Sequence, residues 1–380
     1  MSDRGFVPSA SKPPQYHDTS STAGIMWTVS LCLLPAAGWG IFVFGVPALT
    51  VLAVSVLSAV LCEAIVARIA RRSTLGDGSA VLGGLLVGMT MPPAVPLFVP
   101  IVASAFGMLV VKWSFGGLGG NWMNPALAGR VFVSFSWPGA MASWTMPRTL
   151  PVVDGFTAAT PLGIVKAADS GAPNGPLALL RDVGYPISEL DAGITGWLNA
   201  QVLGPLGINL PAGYVDLFVG NLPGSIGGGS ALLLLLGAVV LFARRIVTWH
   251  IPTALFFSFS LCTWVFGGLR SGAGFFSGDV LFAVSTGGLL LAAFFMATDP
   301  VTTPLTKDGM LVFGAGAGIV AFVLRTFGQF PESIALAIIL MNVVVPFIDR
   351  TMRPHRFGVS RQRRARSRQD AAIQEVRSAS

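Results

Sequence analysis

Ten runs of apolar residues alternate along the chain with short stretches rich in Pro, Gly and charged residues. They cover residues 24–44, 46–68, 80–93, 95–112, 121–137, 225–243, 249–267, 280–297, 309–326 and 332–348. A helix needs about 20 apolar residues to cross ~30 Å of hydrocarbon, and helices satisfy their own backbone groups there. The pattern predicts an all-α polytopic membrane protein with about ten transmembrane helices.

Two of the runs contain signals that interrupt a helix. The third is short and runs into Met91-Pro92-Pro93, and the fifth opens with Asn121-Trp122-Met123-Asn124-Pro125. Broken helices at membrane depth usually line a site, because their freed backbone groups need partners that lipid does not supply. We therefore expect a binding site near these breaks.

A short stretch of the third run recurs in the eighth. Ser79-Ala-Val-Leu-Gly-Gly-Leu-Leu86 is echoed by Val284-Ser-Thr-Gly-Gly-Leu-Leu290. With five crossings in each half, these segments would run in opposite directions, which predicts two inverted five-helix repeats. The alternative is that the glycine pairs only allow helices to pack closely.

The composition agrees with a membrane protein: 53% of residues are hydrophobic, 11% are charged and the mean hydropathy is +0.72. The net charge of +7 lies mostly in residues 349–380, where nine arginines face three acidic residues. A basic tail after a membrane helix holds that end in the cytoplasm and attracts anionic lipid. The charge therefore gives no reason to expect a nucleic-acid partner.

The positive charges also predict the topology. With ten crossings, one side of the membrane receives Arg4, Lys12, Arg68, Arg71, Arg72, Lys112, Arg244, Arg245, Lys307 and the arginine tail. This side should be cytoplasmic, so both termini should be cytoplasmic tails, at residues 1–23 and 349–380. The polar N-terminus does not resemble a cleaved signal peptide. The long segment 138–220 then lies on the extracytoplasmic face, between the transmembrane halves 24–137 and 221–348.

The cysteines and histidines do not predict a metal site. Cys32, Cys62 and Cys262 are far apart in apolar runs, and the histidines lie in the two tails and at a helix start. Iron–sulfur and zinc sites need clustered ligands. We expect no metal and no catalytic residue in this chain.

The segment 138–220 contains Asp154-Gly-Phe-Thr157-Ala-Ala-Thr160. This stretch resembles the motif D-x-x-[ST]-x-A-[TS] of the subunit family shared by the Rnf electron-transport complex (RnfD) and the sodium-pumping NADH:quinone reductase (NqrB). In that family the last Thr is esterified by the phosphate of FMN. The resemblance implies covalent FMN on Thr160 and recognition of Asp154 and Thr157 by a flavin transferase. Taken alone, the stretch also suits an ordinary turn.

Further stretches resemble the same family, in the same order. They begin at Asp77, Phe115, Gly220 and Phe294 and include Asn121, Asn124 and Asp299. The resemblance implies that these last three residues hold a noncovalent riboflavin, whose ring edge two carboxamides can match. The alternative is that they only break helices and cap exposed backbone.

The other membrane-embedded charges have simpler interpretations. Glu63 is expected to snorkel, and Lys112, Arg130 and Arg325 are expected near helix ends. Asp279 and Asp299 are the better candidates for an ion path.

Two positions depart from the family pattern. Ala158 replaces a usual Gly, and Gly228 stands where relatives tend to carry an acidic residue. If that carboxylate helps to move an ion, this chain lacks the step or supplies it elsewhere.

The resemblance predicts a membrane component of an Rnf-type ion-translocating ferredoxin:NAD oxidoreductase in the bacterial inner membrane. Its expected partners in that complex are the flavin-carrying G subunit, the membrane-embedded A and E subunits, and the iron–sulfur B and C subunits. Electrons would pass from a partner's flavin to FMN on Thr160 and then to a second flavin, coupled to Na⁺ or H⁺ movement. The alternatives are an NqrB-like protein and a secondary transporter without a redox role.

Overall fold

The computed structural model describes residues 21–71, 74–150, 159–167, 175–207, 209–270, 272–328 and 333–352. Every regular element within these ranges is helical. The basic tail beyond Met352 and the predicted recognition residues Asp154 and Thr157 lie outside the described residues.

The first half of the chain forms five helices. They are α1 (Thr22–Phe44), α2 (Val46–Ile69), α3 (Ser79–Met89), α4 (Phe98–Ala105, continued by a π-helix at Phe106–Trp113) and α5 (Pro125–Ser136). Gly45 separates α1 from α2 with φ +73°, a left-handed value that glycine adopts without strain. The helix α3 ends before Pro92-Pro93, as the sequence predicted.

The central segment, residues 138–220, contains a helical turn at Pro138–Met141 followed by short helices. They are α6 (Pro161–Ala167), α7 (Pro176–Asp182), α8 (Glu189–Leu198) and α9 (Tyr214–Val219). Single turns at Asn199–Leu203 and Gly204–Leu206 extend α8. A small apolar cluster that includes Leu162, Leu180 and Leu217 also contains Phe282, so the central segment packs against the second half of the chain.

Two buried carboxylates organise the central segment. Asp191 accepts hydrogen bonds from the amides of Gly213 (2.8 Å) and Asp216 (2.9 Å). Asp216 in turn accepts from the amide of Ser188 at 2.8 Å and from its hydroxyl at 2.5 Å. Both carboxylates are almost fully buried. Because their oxygens are satisfied by protein donors, they fasten α9 to the start of α8.

The second half forms α10 (Ala231–Ala243), α11 (His250–Phe266), α12 (Val280–Ser285), α13 (Leu289–Leu291, continued by a π-helix at Ala292–Met296), α14 (Lys307–Phe327) and α15 (Ile334–Thr351). The predicted eighth run is thus interrupted between α12 and α13. Gly287 and Gly288 lie in this interruption with φ values of +67° and +66°.

Four of the described helices, α1, α2, α14 and α15, are long and apolar enough to cross a membrane. Shorter apolar helices include α3, α4 with its continuation, α10 and α11. Many apolar side chains on the outer surfaces of these long and short helices are exposed, such as Leu57, Phe257 and Phe347. The prediction of an all-helical polytopic membrane protein is therefore confirmed.

Helices from both halves share one core. The helix α1 packs against α10, α5 packs against α15, and α11 lies along α14. Small residues allow close approach: a Cβ atom built on Gly84 of α3 would lie 2.7 Å from the main-chain oxygen of Ser55 in α2. The two halves thus form one packed body in which the broken segments are central.

Candidate cofactor sites

Asn121, Asn124 and Asp299 line the same cavity, which we call the Asn121 cavity. It contains about 790 Å³ of atom-free space between α1, α3, the end of α4, the start of α5 and the stretch that follows α13. Its walls are mostly apolar, with Met26, Leu86 and Phe295 among them. Apolar walls with a few converging polar groups are typical of a small-molecule site. Asn121 and Asn124 therefore meet Asp299, which is distant from them in the sequence, at one place.

Asn124 shapes this cavity through its side chain. Its Oδ1 accepts from the amides of Ala126 (3.0 Å) and Leu127 (3.3 Å), which caps α5. Its Nδ2 donates to the main-chain oxygen of Met296 at 3.2 Å. Asn124 thus caps a helix, as the alternative interpretation of the sequence expected. It also joins the two halves of the chain.

Asn121 leaves one polar atom available for a ligand. Its Nδ2 donates to the main-chain oxygen of Met123 at 3.1 Å. Its Oδ1 is buried and has no hydrogen-bond partner among the described residues. A buried acceptor without a partner costs about 1–3 kcal/mol, so its presence on a cavity wall favours a ligand that donates a hydrogen bond.

Asp299 also lines this cavity, in the turn after α13, and is half-buried. Its Oδ1 accepts from the amide of Val301 at 3.2 Å. Its main-chain oxygen accepts from the Thr303 hydroxyl at 3.0 Å. The side chain therefore stabilises a turn, as the alternative interpretation expected, while it also lines the cavity.

Glu63 and Lys112 form a buried ion pair, and the expectation that Glu63 snorkels was wrong. Lys112 Nζ lies 2.9 Å from Glu63 Oε2, and both side chains are at most 3% exposed. Lys112 also donates to Ser79 Oγ at 2.7 Å. Because Lys112 and Ser79 both line the Asn121 cavity, the pair places a positive charge on its wall.

Glu63 receives further donors that stabilise its carboxylate. The Trp113 indole N–H donates to Oε2 at 2.7 Å, and the Thr74 hydroxyl donates to Oε1 at 2.7 Å. A buried pair is retained only when such extra hydrogen bonds offset the desolvation of its charges. Opposite charges inside the second and fourth apolar runs were the sequence signal for this pair, since buried charges need partners.

Arg130 and Arg325 are also buried, each only 7% exposed. Arg325 lies in the last turn of α14, near a helix end as expected, whereas Arg130 lies in the middle of α5. Arg325 donates to the main-chain oxygens of Ala283 (2.6 Å) and Thr286 (3.2 Å). Its guanidinium lies 4.9 Å from the centroid of the Phe259 ring. Arg325 thus holds the end of α12 where the helix is interrupted.

Thr160 lies immediately before α6 and is 5% exposed. Its Oγ1 accepts from the amide of Gly163 at 3.0 Å. It lines a narrow cavity of about 430 Å³ together with residues from the 220–229 stretch and the Gly287-Gly288 interruption. We call this the Thr160 cavity. Two stretches singled out in the sequence therefore meet at this threonine.

Asp279 serves as a cap. It accepts from the amide of Phe282 at 2.9 Å and from the hydroxyl of Tyr214. Burial and this bond to Asp279 raise the pKa of Tyr214 well above its ordinary value. Asp279 therefore ties the central segment to α12.

Gly228 lies beside the interrupted helix. A Cβ atom built on it would lie 2.4 Å from Ser225 Oγ and 3.2 Å from the Gly288 Cα. An acidic side chain at position 228 would require Ser225 to move. The position that departs from the family pattern is thus next to the Thr160 cavity.

The sequence model of the NQR2, RnfD, RnfE family matches residues 9–358. The chain is 38% identical over 352 residues to the D subunit of the proton-translocating ferredoxin:NAD(+) oxidoreductase complex of Clostridium ljungdahlii, an alignment that covers 92% of this chain and 96% of that protein. It is 37% identical to the D subunit of the ion-translocating oxidoreductase complex of Stutzerimonas stutzeri, with 89% and 93% covered. It is 33% identical to the D subunit of the Na(+)-translocating ferredoxin:NAD(+) oxidoreductase complex of Acetobacterium woodii, with 93% and 96% covered.

Proposed function

The chain belongs to the NQR2, RnfD, RnfE family, and from this premise we propose that it is the D subunit of an ion-translocating ferredoxin:NAD oxidoreductase complex. The observation that carries the proposal is its similarity, over nearly the whole length, to relatives with that name. The complex is a bacterial membrane oxidoreductase and translocase, and this chain is a membrane-embedded electron carrier within it. A role in an NADH:quinone reductase is the second candidate, since the family also includes NQR2.

We propose that Thr160 carries FMN through a phosphoester. The support is the stretch ending at Thr160, its place beside a cavity, and the convergence there of residues from the 220–229 stretch. Asp154 and Thr157, which lie outside the described residues, would be recognised by the flavin transferase. When bound, the flavin supplies one-electron chemistry that no side chain of the chain provides.

We further propose that the Asn121 cavity holds riboflavin. The support is the orphaned Oδ1 of Asn121, which suits a donor on the ring edge, and the apolar walls, which suit its flat face. Asn124 and Asp299 would shape the cavity by holding the two broken segments in place. Lys112, fixed by Glu63, would contribute positive charge at the wall.

The proposed architecture is ten helical segments in two inverted repeats, residues 24–137 and 221–348. In its favour, the first segments of the two halves, α1 and α10, pack together, as do the fifth, α5 and α15. The third segment of each half is short or broken. We propose cytoplasmic tails at residues 1–23 and 349–380, and an extracytoplasmic central segment. The expected partners are the A, B, C, E and G subunits of the complex and the bilayer.

A fluorescence assay tests the covalent flavin. The chain is coexpressed with a flavin transferase and run on a denaturing gel under ultraviolet light. The wild type should give a fluorescent band, which Thr160→Ala abolishes and Thr160→Ser keeps, because serine retains the hydroxyl. Thr157→Ala should weaken the band. A wild-type chain without fluorescence would favour a secondary transporter.

Transport in inverted membrane vesicles tests the coupling. Ferredoxin-driven NAD reduction should build an ion gradient, measured with and without Na⁺. The relatives include one named for protons and one named for Na⁺, so both ions must be assayed. Vesicles that reduce NAD but build no gradient would contradict the proposed role.

A further inference from the structure

A third cavity has no role in the function described so far. It contains about 1070 Å³ of atom-free space. We call it the Lys166 cavity; its walls include Leu162 and Lys166 of α6, Thr263 of α11, Arg270, Phe282 of α12 and Arg325 of α14.

This cavity begins two residues after Thr160. Leu162 lines both the Lys166 cavity and the Thr160 cavity. A Cβ atom built on Gly287 would lie 3.0 Å from Leu162 and 2.7 Å from the Arg325 guanidinium. Leu162 is therefore a shared wall of the two cavities, and Arg325 on the wall of the larger one lies beside Gly287 on the wall of the smaller one.

Three cationic side chains converge on the Lys166 cavity. Lys166 Nζ donates to the main-chain oxygen of Arg325 at 2.9 Å, and Arg270 donates to that of Thr326 at 2.6 Å. Burial, together with Arg270 and Arg325, lowers the pKa of Lys166 to about 8. The one carboxylate on the wall, Asp279, is engaged by the Tyr214 hydroxyl. The wall is therefore net positive among the described residues.

The rest of the wall suits a flat apolar group with a polar edge. Phe259, Phe282 and Phe322 supply aromatic surface. Thr263 is 6% exposed, and its Oγ1 has no hydrogen-bond partner among the described residues. A buried hydroxyl of this kind favours a ligand that offers a donor or an acceptor at that point.

We propose that the Lys166 cavity receives the isoalloxazine ring of the flavin on Thr160, with Lys166, Arg270 and Arg325 facing the edge that becomes negative on reduction. The inference rests on the proposed attachment at Thr160. An anionic lipid headgroup would also suit three cations, but the start of the cavity beside the tether favours the flavin. One electron, delivered by the donor of the complex, adds to the ring without a proton, so the charge that appears is stabilised by the cations.

The reduction potential of the covalent flavin tests this placement. The chain, loaded by coexpression with a transferase, is purified and titrated by spectroelectrochemistry. Lys166→Met should lower the preference for the reduced flavin about tenfold, which is about 59 mV for a one-electron couple. Lys166→Arg should restore it. Arg181→Met is the matched control, because exposed Arg181 lies in the central segment and bonds Ala212, away from the cavity.

Two further readouts protect the test against misfolding. The native flavin should be shielded from iodide quenching until the protein is denatured, and Thr263→Val should leave the fold intact while it alters the flavin spectrum. A fluorescent gel band with an unchanged potential in Lys166→Met would overturn the placement alone. Loss of a bound anionic lipid in Lys166→Met, seen by native mass spectrometry without any change in the flavin, would also overturn the placement. A wild type without covalent flavin would overturn the attachment itself.

Discussion

The side-chain amide of Asn124 donates to the main-chain oxygen of Met296, and this bond joins the start of α5 to the interrupted helix of the second half. The same side chain caps α5. One residue thus couples the two broken segments that enclose the Asn121 cavity. Its two functions can be separated by substitution.

Asn124→Ala should lose both the cap and the bond between the halves. The expected loss of unfolding free energy is about 1–3 kcal/mol, since caps and hydrogen bonds each contribute on the order of 1 kcal/mol. Asn124→Asp keeps an acceptor for the cap but loses the donor, so it should be less destabilised. Thermal unfolding in detergent measures both. An Asn124→Asp variant as stable as the wild type would contradict the role of the bond to Met296.

The noncovalent flavin content should depend on Asn121 and Asp299. Asn121→Ala removes the orphaned acceptor, and Asp299→Ala removes the turn and the polar wall. Both should reduce the riboflavin released on denaturation of the purified complex, measured by chromatography. Asp308→Asn, on the exposed first turn of α14, is the matched control. Unchanged riboflavin in both cavity variants would sink the assignment.

The Glu63–Lys112 pair should be more sensitive to single than to double substitution. Glu63→Gln or Lys112→Met leaves one buried charge unpaired, which typically costs about 3–5 kcal/mol. The double variant removes both charges and should recover part of the stability. Thermal unfolding of the three variants measures the coupling. Additive effects would show that the two residues do not act as a pair.

Gly287 and Gly288, which interrupt the predicted eighth run, should differ in how strongly a change to Ala destabilises the protein. Both have positive φ, so either change to Ala costs on the order of 1–2 kcal/mol of backbone strain. A Cβ on Gly287 also meets Leu162 and Arg325, whereas one on Gly288 meets only Ser225 Oγ at 3.9 Å. Gly287→Ala should therefore unfold at the lower temperature. The opposite order of unfolding temperatures would mean that Leu162 and Arg325 move aside easily to accommodate the added methyl group.

The stability of the flavin-free protein should rise with pH through the titration of Lys166. Its pKa is lowered from 10.5 to about 8 in the folded state. Between these values the unfolded chain binds a proton that the folded protein has released, so the free energy of unfolding rises with pH in that window. Below about pH 7 the contribution is constant. Lys166→Met should remove the rise, measured as the difference in melting temperature between about pH 7.5 and about pH 9.5, on either side of most of this titration.

Helix positions could be predicted well, because runs of apolar residues and proline positions are local. The end of α3 before Pro92-Pro93 and the start of α5 at Pro125 follow from residues that cannot continue or must begin a helix. The family resemblance, which the sequence model and the relatives confirm, predicted that Asn121, Asn124 and Asp299 lie at one site. The apolar runs alone do not say which segments touch.

The burial of Glu63 and Lys112 could not be read in the same way. The two residues are far apart in the sequence, and a charge in an apolar run either snorkels or finds a partner on another helix. Which outcome occurs depends on how α2 and α4 pack, since the Glu63 side chain must meet both Lys112 and Trp113. Likewise, no local pattern indicated that the neighbours of Thr160 would cover its hydroxyl.

That cover has a consequence for biogenesis. Thr160 keeps 5% of its surface, and its hydroxyl is already engaged by the amide of Gly163. A transferase cannot approach an atom so enclosed. If Thr160 carries FMN, loading must come before α6 settles on its cavity, or α6 must lift away for it. The transferase must then act before the chain closes over Thr160, and a molecule that closes first stays without FMN.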